Sequence, residues 1–364
     1  MTDALTNAVV SRDNHAGQYR FIVGPDDPIL VTGAAGFLGP AVIESLLRHG
    51  FRNLRAFVRE ASDTVKLEAL RRQNRGRARV AILRGNLLSR QDCTTATKDS
   101  RLVIHLATGN GKSYPDVFMN SVVTTRNLLD SCIDNPLIRR FVTLSSFAVY
   151  SNKQRHPLDE QSPIEELATS RGEAYTFAKL KQDEIVTEYG KQHALPYVIV
   201  RPGSVYGPGK KTITGRVGVD TFGIYLHLGG SNPIPLTYVD NCADAIVLAG
   251  VTPGIDGEVF NIVDDDLPSS RQLLRLYKRN VDSFPSIYVP RCLSYTLCWV
   301  WGKYADWSQG QLPPTFNPSR WRAEWKRTHY RNNKAKARLG WAPKVSMPDG
   351  LKRYFEACRE KRDA

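Results

Sequence analysis

Residues 29–50 read "ILVTGAAGFLGPAVIESLLRHG", an apolar run of strand length followed by glycines and then by apolar residues at helical spacing. In such a unit Gly33 permits a tight turn, Gly36 lets the backbone approach a pyrophosphate, and Gly39 lets the helix pack closely on the strand. The first free amides of the helix then face the phosphates. The stretch therefore predicts a dinucleotide-binding turn, with cofactor contacts at Gly33, Ala35, Gly36, Phe37, Leu38 and Gly39.

Further apolar runs suited to buried parallel strands follow along the chain, and helix-length stretches separate them. These runs lie at residues 53–59, 79–85, 101–107, 139–146 and 196–203. Strand and helix in alternation predict right-handed βαβ units. We therefore expect an α/β fold with a doubly wound parallel sheet of the Rossmann type.

After about residue 208 the pattern becomes irregular and richer in Pro, Trp and Tyr. This change predicts a Rossmann domain over residues 28–208 and a smaller C-terminal substrate-binding region over residues 209–364, with residues 1–27 as an N-terminal extension. Residues 234–250 and 257–263 are expected to pack back on the Rossmann domain.

The end of the second strand predicts the cofactor type. An NAD enzyme usually carries an acidic residue there, which binds the adenosine ribose 2′-hydroxyl. This chain has Arg59, whose guanidinium suits a 2′-phosphate by charge and by its forked donors. We therefore expect NADP in preference to NAD, although Glu60 follows directly.

A tyrosine and a lysine at helical spacing are the candidate catalytic pair. Tyr175 and Lys179 in "EAYTFAKLKQDEIV" lie four residues apart and so share one helix face. We expect the ammonium to lower the pKa of the phenol and to let Tyr175 exchange a proton near neutral pH. The same spacing at Tyr330 and Lys334 lacks a helical context.

Two serines end a predicted strand near this pair. Ser145 and Ser146 close "RRFVTLSS", at the carboxyl edge of the sheet where open α/β proteins bind ligands. Their hydroxyls, with the Tyr and Lys pair, predict a proton-transfer site.

The motifs together resemble the extended short-chain dehydrogenase/reductase family, also called the NAD-dependent epimerase/dehydratase family. They include "TGAAGFLG", "VIHLAT", "LSSFAVY", "YTFAK", "RPGSVYGPG" and "LTYVDNCADAI", and the likeness runs from about residue 28 to residue 360. The resemblance implies a nicotinamide cofactor and a Ser, Tyr and Lys catalytic group. Ser146 is the better match for the serine and Ser145 the second, and Lys179 is expected also to contact the nicotinamide ribose. Further expected cofactor contacts are Asn86, Leu87, Leu106, Ala107, Pro202 and Val205.

Two departures from the family pattern bear on the substrate. Nucleotide-sugar enzymes usually have Asn where this chain has Ser204, and an Arg-Asp pair before the "TYVD" strand that is missing here. Both features resemble the hydroxysteroid-dehydrogenase and dihydroflavonol-reductase branch. We therefore expect hydride transfer between nicotinamide and a secondary alcohol or ketone carbon. A nucleotide-sugar epimerase or dehydratase with retained cofactor, its diphosphate held by Arg216 and Arg331, and a non-catalytic dinucleotide-binding protein are the alternatives.

Segment 287–314 is aromatic and apolar at helical spacing. Leu293, Leu297, Val300, Trp301 and Tyr304 fall roughly on one face, and the segment is too short to span a bilayer. We expect a lid helix packed on the substrate region, suited to an apolar ring-bearing substrate; contact with a membrane surface is the less favoured alternative.

Charge and composition bear on the expected partners, metal content and location of the protein. The net charge of +14 arises largely in residues 319–362, where 14 Lys and Arg oppose 4 Asp and Glu. We expect a solvated helical face there, with anionic substrates or a membrane surface as the alternatives. No nucleic-acid motif accompanies it, so nucleic acid is not an expected partner. The six cysteines have neither disulfide nor metal spacing, so no metal is expected. Residues 1–20 are polar, which favours a cytoplasmic protein. We also expect the protein to form a homodimer.

Overall fold

The computed structural model of the 364-residue chain describes residues 21–109, 111, 113–153, 157–210, 213–221, 223–309, 311–312 and 316–363. The polar segment 1–20, on which the cytoplasmic expectation rests, lies outside these residues. The strands are β1 Ile29–Thr32, β2 Asn53–Val58, β3 Arg79–Arg84, β4 Leu102–His105, β5 Arg140–Leu144, β6 Tyr197–Pro202, β7 Ser204–Tyr206, β8 Gly218–Thr221, β9 Ile224–His227, β10 Leu236–Tyr238, β11 Val259–Ile262 and β12 Ser286–Tyr288.

The helices alternate with the first strands, as the sequence predicts. They are α1 Gly39–Arg48, α2 Val65–Gln73, α3 Arg90–Thr97, α4 Tyr114–Val117, α5 Thr124–Ile133, α6 Ala174–His193, α7 Val239–Val251, α8 Ser270–Asn280, α9 Arg291–Trp307, α10 Pro318–Glu324, α11 Asn333–Leu339 and α12 Met347–Asp363. A π-helical segment, Phe118–Val123, joins α4 to α5, and a 3₁₀ turn, Phe147–Val149, follows β5.

Seven parallel strands form the main sheet in the order β11-β6-β5-β4-β1-β2-β3. The chain reverses direction across the sheet between β1 and β4, which makes their carboxyl ends the switch point where such sheets bind ligands. Every residue of β1 and β4 is buried, because helices cover both faces. The predicted α/β fold with a doubly wound parallel sheet is confirmed.

Two apolar layers hold the sheet. On one face α1 packs on α7, with Val42, Leu46 and Ile246 in a core cluster that continues to α11. On the other face α3, α5 and α6 pack together through residues such as Leu128 and Val186. All six cysteines are free thiols. In the described part of the chain, no group of three or more His, Cys, Asp or Glu residues could hold a metal ion.

Later parts of the chain contribute to both regions. Strand β11 completes the main sheet by pairing with β6 in the register Val259↔Ile199. Helix α11 packs on α7 and β11, and the indole nitrogen of Trp341 donates to the carbonyl of Asn241 at 2.9 Å. The three-stranded sheet β12-β9-β8, with α8, α9 and α10, lies outside this core.

Helix α9 differs from the sequence prediction. Leu293, Leu297, Val300 and Tyr304 are exposed, and its buried residues are the small Ser294, Cys298 and Ala305. The predicted packing through this apolar face is wrong: α9 contacts the protein through the small residues and through the rings of Tyr295 and Trp301, which meet Trp321 and Phe316. No described helix is long and apolar enough to cross a bilayer.

Candidate functional site

A cavity of about 1560 Å³ opens at the carboxyl edge of the main sheet. Its lining brings together almost all of the residues that the sequence singles out, drawn from the ends of strands β1 to β6 and from the start of α6. They are Gly33, Ala35, Gly36, Phe37, Leu38, Gly39, Arg59, Asn86, Leu87, Leu106, Ala107, Ser145, Ser146, Tyr175, Pro202 and Val205. Lys179 does not line the cavity and lies buried beside it.

The glycine turn forms one end of this cavity. Gly33 has a φ of +67°, and a Cβ there would lie 2.8 Å from the amide nitrogen of Ala107. A Cβ at Gly39 would lie 2.1 Å from the carbonyl oxygen of Ala34, so the helix can approach the strand only with glycine at this position. Pro40 lies in the first turn of α1, where it costs no intrahelical hydrogen bond. This turn, which any side chain at these positions would obstruct, fits the pyrophosphate of a dinucleotide.

The end of β2 presents Arg59 to the cavity. Its side chain is exposed, its carbonyl accepts the N–H of Ser62 at 3.0 Å, and Ser62 and Lys210 also line the cavity. Glu60 does not line the cavity, and its carbonyl accepts a hydrogen bond from Arg84. Ser62 and Lys210 are ligand candidates that sequence reasoning missed.

Asn86 shapes the turn after β3. Its backbone N–H donates to the carboxylate of Asp92 at 2.7 Å, and its side-chain oxygen accepts from the N–H of Leu88 at 3.0 Å. The carbonyl of Leu87 accepts from the amide of Asn127 at 3.0 Å. Asn86 and Leu87 therefore hold a fixed loop against the cavity.

Tyr175 and Ser146 meet on the cavity wall. The Tyr175 side chain is 45% exposed, and its hydroxyl hydrogen-bonds with the Ser146 side chain. Protein packed around the hydroxyl raises the pKa of Tyr175; the Ser146 hydrogen bond lowers it by less, and the charge of Asp183 raises it slightly. The phenol is therefore protonated at neutral pH.

Lys179 lies differently from the expectation. Its ammonium donates to the carbonyl of Leu144 at 2.7 Å and to Oε1 of Gln182 at 3.0 Å, and it lies 6.0 Å from the centre of the Tyr175 ring. Burial lowers the pKa of Lys179 to about 8, against the charge of Asp183, which raises it. The expectation that Lys179 lowers the pKa of Tyr175 is wrong for this structure, because the ammonium is turned toward the strand end and burial of the phenol dominates.

Ser145 belongs to a buried hydrogen-bond network. Its hydroxyl donates to Asp183 at 2.9 Å, and the same carboxylate oxygen accepts from Arg201 at 2.9 Å. Arg201 also donates to the Tyr150 hydroxyl at 3.2 Å, which donates to Asn261 at 2.7 Å. Asp183 follows Lys179 by four residues, so its place on the same helix face was readable from the sequence, but its partners come from distant strands.

Another chain of hydrogen bonds supports Lys179 from beneath. The amide nitrogen of Gln182 donates to Oγ1 of Thr125 at 2.9 Å, and Nε2 of His105 lies 2.9 Å from the same oxygen. Nδ1 of His105 lies 2.7 Å from Oγ1 of Thr32. Burial, followed by the charge of Lys179, lowers the pKa of His105 to about 3, so the ring is neutral.

Charged side chains line the other half of the cavity. Glu173 forms an ion pair with Arg320 at 2.9 Å, and Glu324 and Arg216 lie in the same wall. Burial, followed by the charge of Glu324, raises the pKa of Glu173. Each guanidinium therefore faces nearby carboxylate charge.

The arginine expected to accompany Arg216 is not at the cavity. Arg331 is exposed and does not line it; its backbone N–H donates to the carbonyl of Leu158, a buried residue that does not line the cavity either. Arg320 lines the cavity instead. Ser204 lines the cavity, with its hydroxyl 3.3 Å from that of Thr214. Sequence reasoning missed Glu173, Arg320 and Glu324, which only the tertiary fold brings together.

The second Tyr and Lys pair has structural contacts. Tyr330 stacks on Phe147 with ring centres 5.5 Å apart. Lys334 donates to the carbonyl of Val259 at 2.9 Å and pairs with Glu258 at 3.2 Å. Neither side chain lines the cavity.

Known proteins match the chain in sequence and in fold. The family model for the NAD dependent epimerase/dehydratase family matches residues 29–262. The 3beta-hydroxysteroid-dehydrogenase/decarboxylase isoform 2 of Arabidopsis thaliana is 22% identical over 357 residues, which cover 90% of this chain but only 61% of that protein. The decarboxylating sterol-4-alpha-carboxylate 3-dehydrogenase of Saccharomyces cerevisiae is 23% identical, covering 89% of this chain and 96% of that protein. The structure of UDP-glucuronic acid 4-epimerase from Bacillus cereus, in complex with UDP-glucuronic acid and NAD, has a TM-score of 0.68 at 23% identity, covering 92% of this chain and 99% of that chain.

Proposed function

Because this chain is an enzyme of the NAD-dependent epimerase/dehydratase family, we propose that it is an oxidoreductase that transfers a hydride between nicotinamide and the carbon of a secondary alcohol or ketone. The observation that carries the proposal is the pairing of Tyr175 with Ser146 on the cavity wall. These two hydroxyls lie at the carboxyl edge of the sheet, where a reacting oxygen can meet both.

The residues present fit a nicotinamide dinucleotide. The turn of Gly33 and Gly36 and the first amides of α1 would hold the pyrophosphate. An ammonium has three donors, and the described contacts of Lys179 use two of them, on Leu144 and Gln182, which leaves one for a ribose hydroxyl. When bound, the nicotinamide ring supplies the hydride acceptor or donor.

The proton chemistry belongs to this chain. Tyr175 is protonated at neutral pH, so it would give its hydroxyl proton to the alkoxide that develops as a carbonyl is reduced. Ser146 would donate a hydrogen bond to the same oxygen and stabilise its charge. A protonated phenol is the form that the reduction step needs.

The cofactor is proposed to be NADP. Arg59 lines the cavity directly after β2, and Ser62 and Lys210 add a hydroxyl and a second cation to the cavity lining. A 2′-phosphate can use all three groups, whereas a 2′-hydroxyl needs an acceptor. Asp63 in the same lining opposes this preference, but its carboxylate accepts the N–H of Val65.

The substrate body is proposed to be an apolar ring system. The yeast sterol 3-dehydrogenase aligns over nearly its whole length, which supports a ring-bearing alcohol. Apolar side chains of the cavity, among them Phe147, Leu236 and Tyr354, could contact such a body. Helix α9 does not line the cavity, so its aromatic residues no longer support this assignment.

Nucleotide-sugar epimerisation is the second candidate, favoured by Arg216 and Arg320 in the cavity wall. Both candidates are tested with one panel of hydroxysteroids, ketosteroids, UDP-glucose and UDP-glucuronic acid. We expect net, stoichiometric oxidation of NADPH with a ring ketone, and none with Tyr175→Phe. An epimer formed from a nucleotide sugar without net change in NADPH absorbance would reject the oxidoreductase and support the second candidate.

A further inference from the structure

Helix α9 carries an apolar stripe that faces solvent. Leu293, Leu297, Val300, Tyr304 and Trp307 recur at intervals of four and three residues and therefore share one helix face. Each is between 49% and 76% exposed. Single exposed apolar residues are ordinary, but a continuous stripe of two aromatic and three aliphatic side chains marks an interaction surface.

Further apolar side chains extend this stripe. Ile287 and Tyr288, in β12 just before α9, are also exposed, as are Tyr295 and Trp299 beside the stripe. Rings with an apolar body and a polar N–H or O–H suit the boundary between water and hydrocarbon. We call the exposed surface formed by these residues of β12 and α9 the apolar face.

A basic cluster borders the apolar face. Helix α8 presents Arg271, Arg275, Lys278 and Arg279 around a small cavity that Ser286 of β12 also lines. The guanidinium of Arg271 lies 5.5 Å from the centre of the Tyr288 ring, so the cluster and the apolar face touch. Residues 271–307 contain six Lys and Arg against two Asp, Asp282 and Asp306. The whole surface is therefore apolar and cationic.

The apolar face lies on the helix that supports one wall of the cavity. The indole nitrogen of Trp321 in α10 donates to Ser294 of α9 at 2.9 Å, and the rings of Tyr295 and Trp321 meet edge to face at 5.1 Å. The residue before Trp321 is Arg320, which lines the cavity and pairs with Glu173. Whatever binds α9 is therefore one helix away from the substrate half of the cavity.

We propose that this surface docks the protein on an anionic lipid bilayer, with the apolar face inserted at the headgroup boundary and the α8 cluster on lipid phosphates. Buried apolar area and attraction to anionic headgroups act together in such binding. A second copy of the chain fits less well, because an isologous contact would bring two copies of the same basic cluster together. The docking is independent of the reaction proposed above.

The test is flotation of the full-length protein with vesicles of phosphatidylcholine alone or of phosphatidylcholine with phosphatidylglycerol. We expect binding to the anionic vesicles, a decrease at high ionic strength, and a blue shift of tryptophan emission. The double variant Leu297→Ser, Trp307→Ser should lower the partition coefficient at least about tenfold, because it removes two large inserted side chains. Arg275→Glu with Arg279→Glu should remove the preference for anionic lipid.

The matched control is Val65→Ser with Leu167→Ser, which removes two equally exposed apolar side chains outside the apolar face. This control should bind vesicles as the unchanged protein does. Absence of vesicle binding, or equal loss in the control, overturns the proposal. Self-association that the α9 variant abolishes, without any vesicle binding, also overturns it and assigns the face to a second copy.

Discussion

The ammonium nitrogen of Lys179 lies 3.0 Å from Oε1 of Gln182, and that contact fixes which way the lysine points. Gln182 can present its oxygen to Lys179 because its nitrogen is held by Thr125. Thr125 in turn donates to the carbonyl of Ser121 at 2.6 Å, so its oxygen accepts from both Gln182 and His105. A single assignment of donors and acceptors therefore satisfies all of these hydrogen bonds. In that assignment the oxygen of Gln182 faces Lys179, which makes Gln182 a positioning residue for the lysine.

Gln182→Leu should therefore weaken cofactor binding without removing the proton donor. We expect the KM for the nicotinamide cofactor to rise about tenfold, since a hydrogen bond to a charged group contributes roughly 1.5–3 kcal/mol. Gln182→Glu, which restores an acceptor, should recover most of the affinity and raise the pKa of Lys179. The control is Gln192→Leu, the same change at an exposed position of the same helix. Equal effects of both leucine variants would contradict the positioning role.

Tyr175→Phe should abolish turnover while leaving cofactor binding intact. The change removes only the proton-bearing oxygen, and losing a general acid typically costs ~10²–10⁴ in rate. Tyr330→Phe keeps the stacking on Phe147 and should retain activity. The two variants are compared by steady-state kinetics and by titration of NADPH fluorescence. If they behave alike, Tyr175 is not the proton donor.

Arg59→Ala should reverse the cofactor preference. We expect the Kd of NADPH to rise between about 10-fold and 100-fold, as for the loss of a charged hydrogen bond, and that of NADH to change little. Arg52→Ala, which removes an exposed arginine paired with Asp26, is the control and should alter neither. Tighter binding of NADH than of NADPH to the unchanged protein would refute the NADP assignment.

The parts of the fold that the sequence predicts well are those decided by local pattern. The glycine turn, the alternation of strand and helix, and the Tyr175 spacing each depend on a few neighbouring residues. The wrong expectations concern how side chains are placed in the tertiary structure, which local spacing does not determine. The apolar spacing along α9 defines a helix face but does not show what covers that face. The spacing of Tyr175 and Lys179 puts both on one face but does not show toward which group the Lys179 ammonium points. The pair of Glu173 and Arg320 joins residues 147 positions apart, and no local signal in the sequence connects them.

His105 should make the fold sensitive to acid. Its pKa is lowered to about 3 in the folded chain from an ordinary value of 6.5, so between these values only the unfolded chain binds the proton. Stability therefore falls by roughly 1.4 kcal/mol for each pH unit lost within that window. Urea unfolding at pH 7 and pH 5 should show a smaller loss in His105→Gln than in the unchanged protein. Phe141→Leu, which alters packing against the same ring, should lower stability at both pH values and keep the pH dependence.

Glu173→Gln should increase the affinity of the cofactor-loaded protein for UDP. In the unchanged protein the Glu173 carboxylate lies 2.9 Å from Arg320 and competes with any diphosphate for that guanidinium, so UDP and dTDP should bind weakly. Replacing the carboxylate by a neutral amide removes the competitor, and we expect the Kd of UDP to fall about tenfold, or ~1.4 kcal/mol. Glu166→Gln, at an exposed position that does not line the cavity, is the matched control and should leave it unchanged. The Kd of UDP is measured by calorimetry for the unchanged protein and for both variants, each saturated with NADPH. Micromolar binding of UDP to the unchanged protein, displaced by a nucleotide sugar, would mean that Arg320 is available despite Glu173, and the epimerase function would then be the better explanation of this cavity.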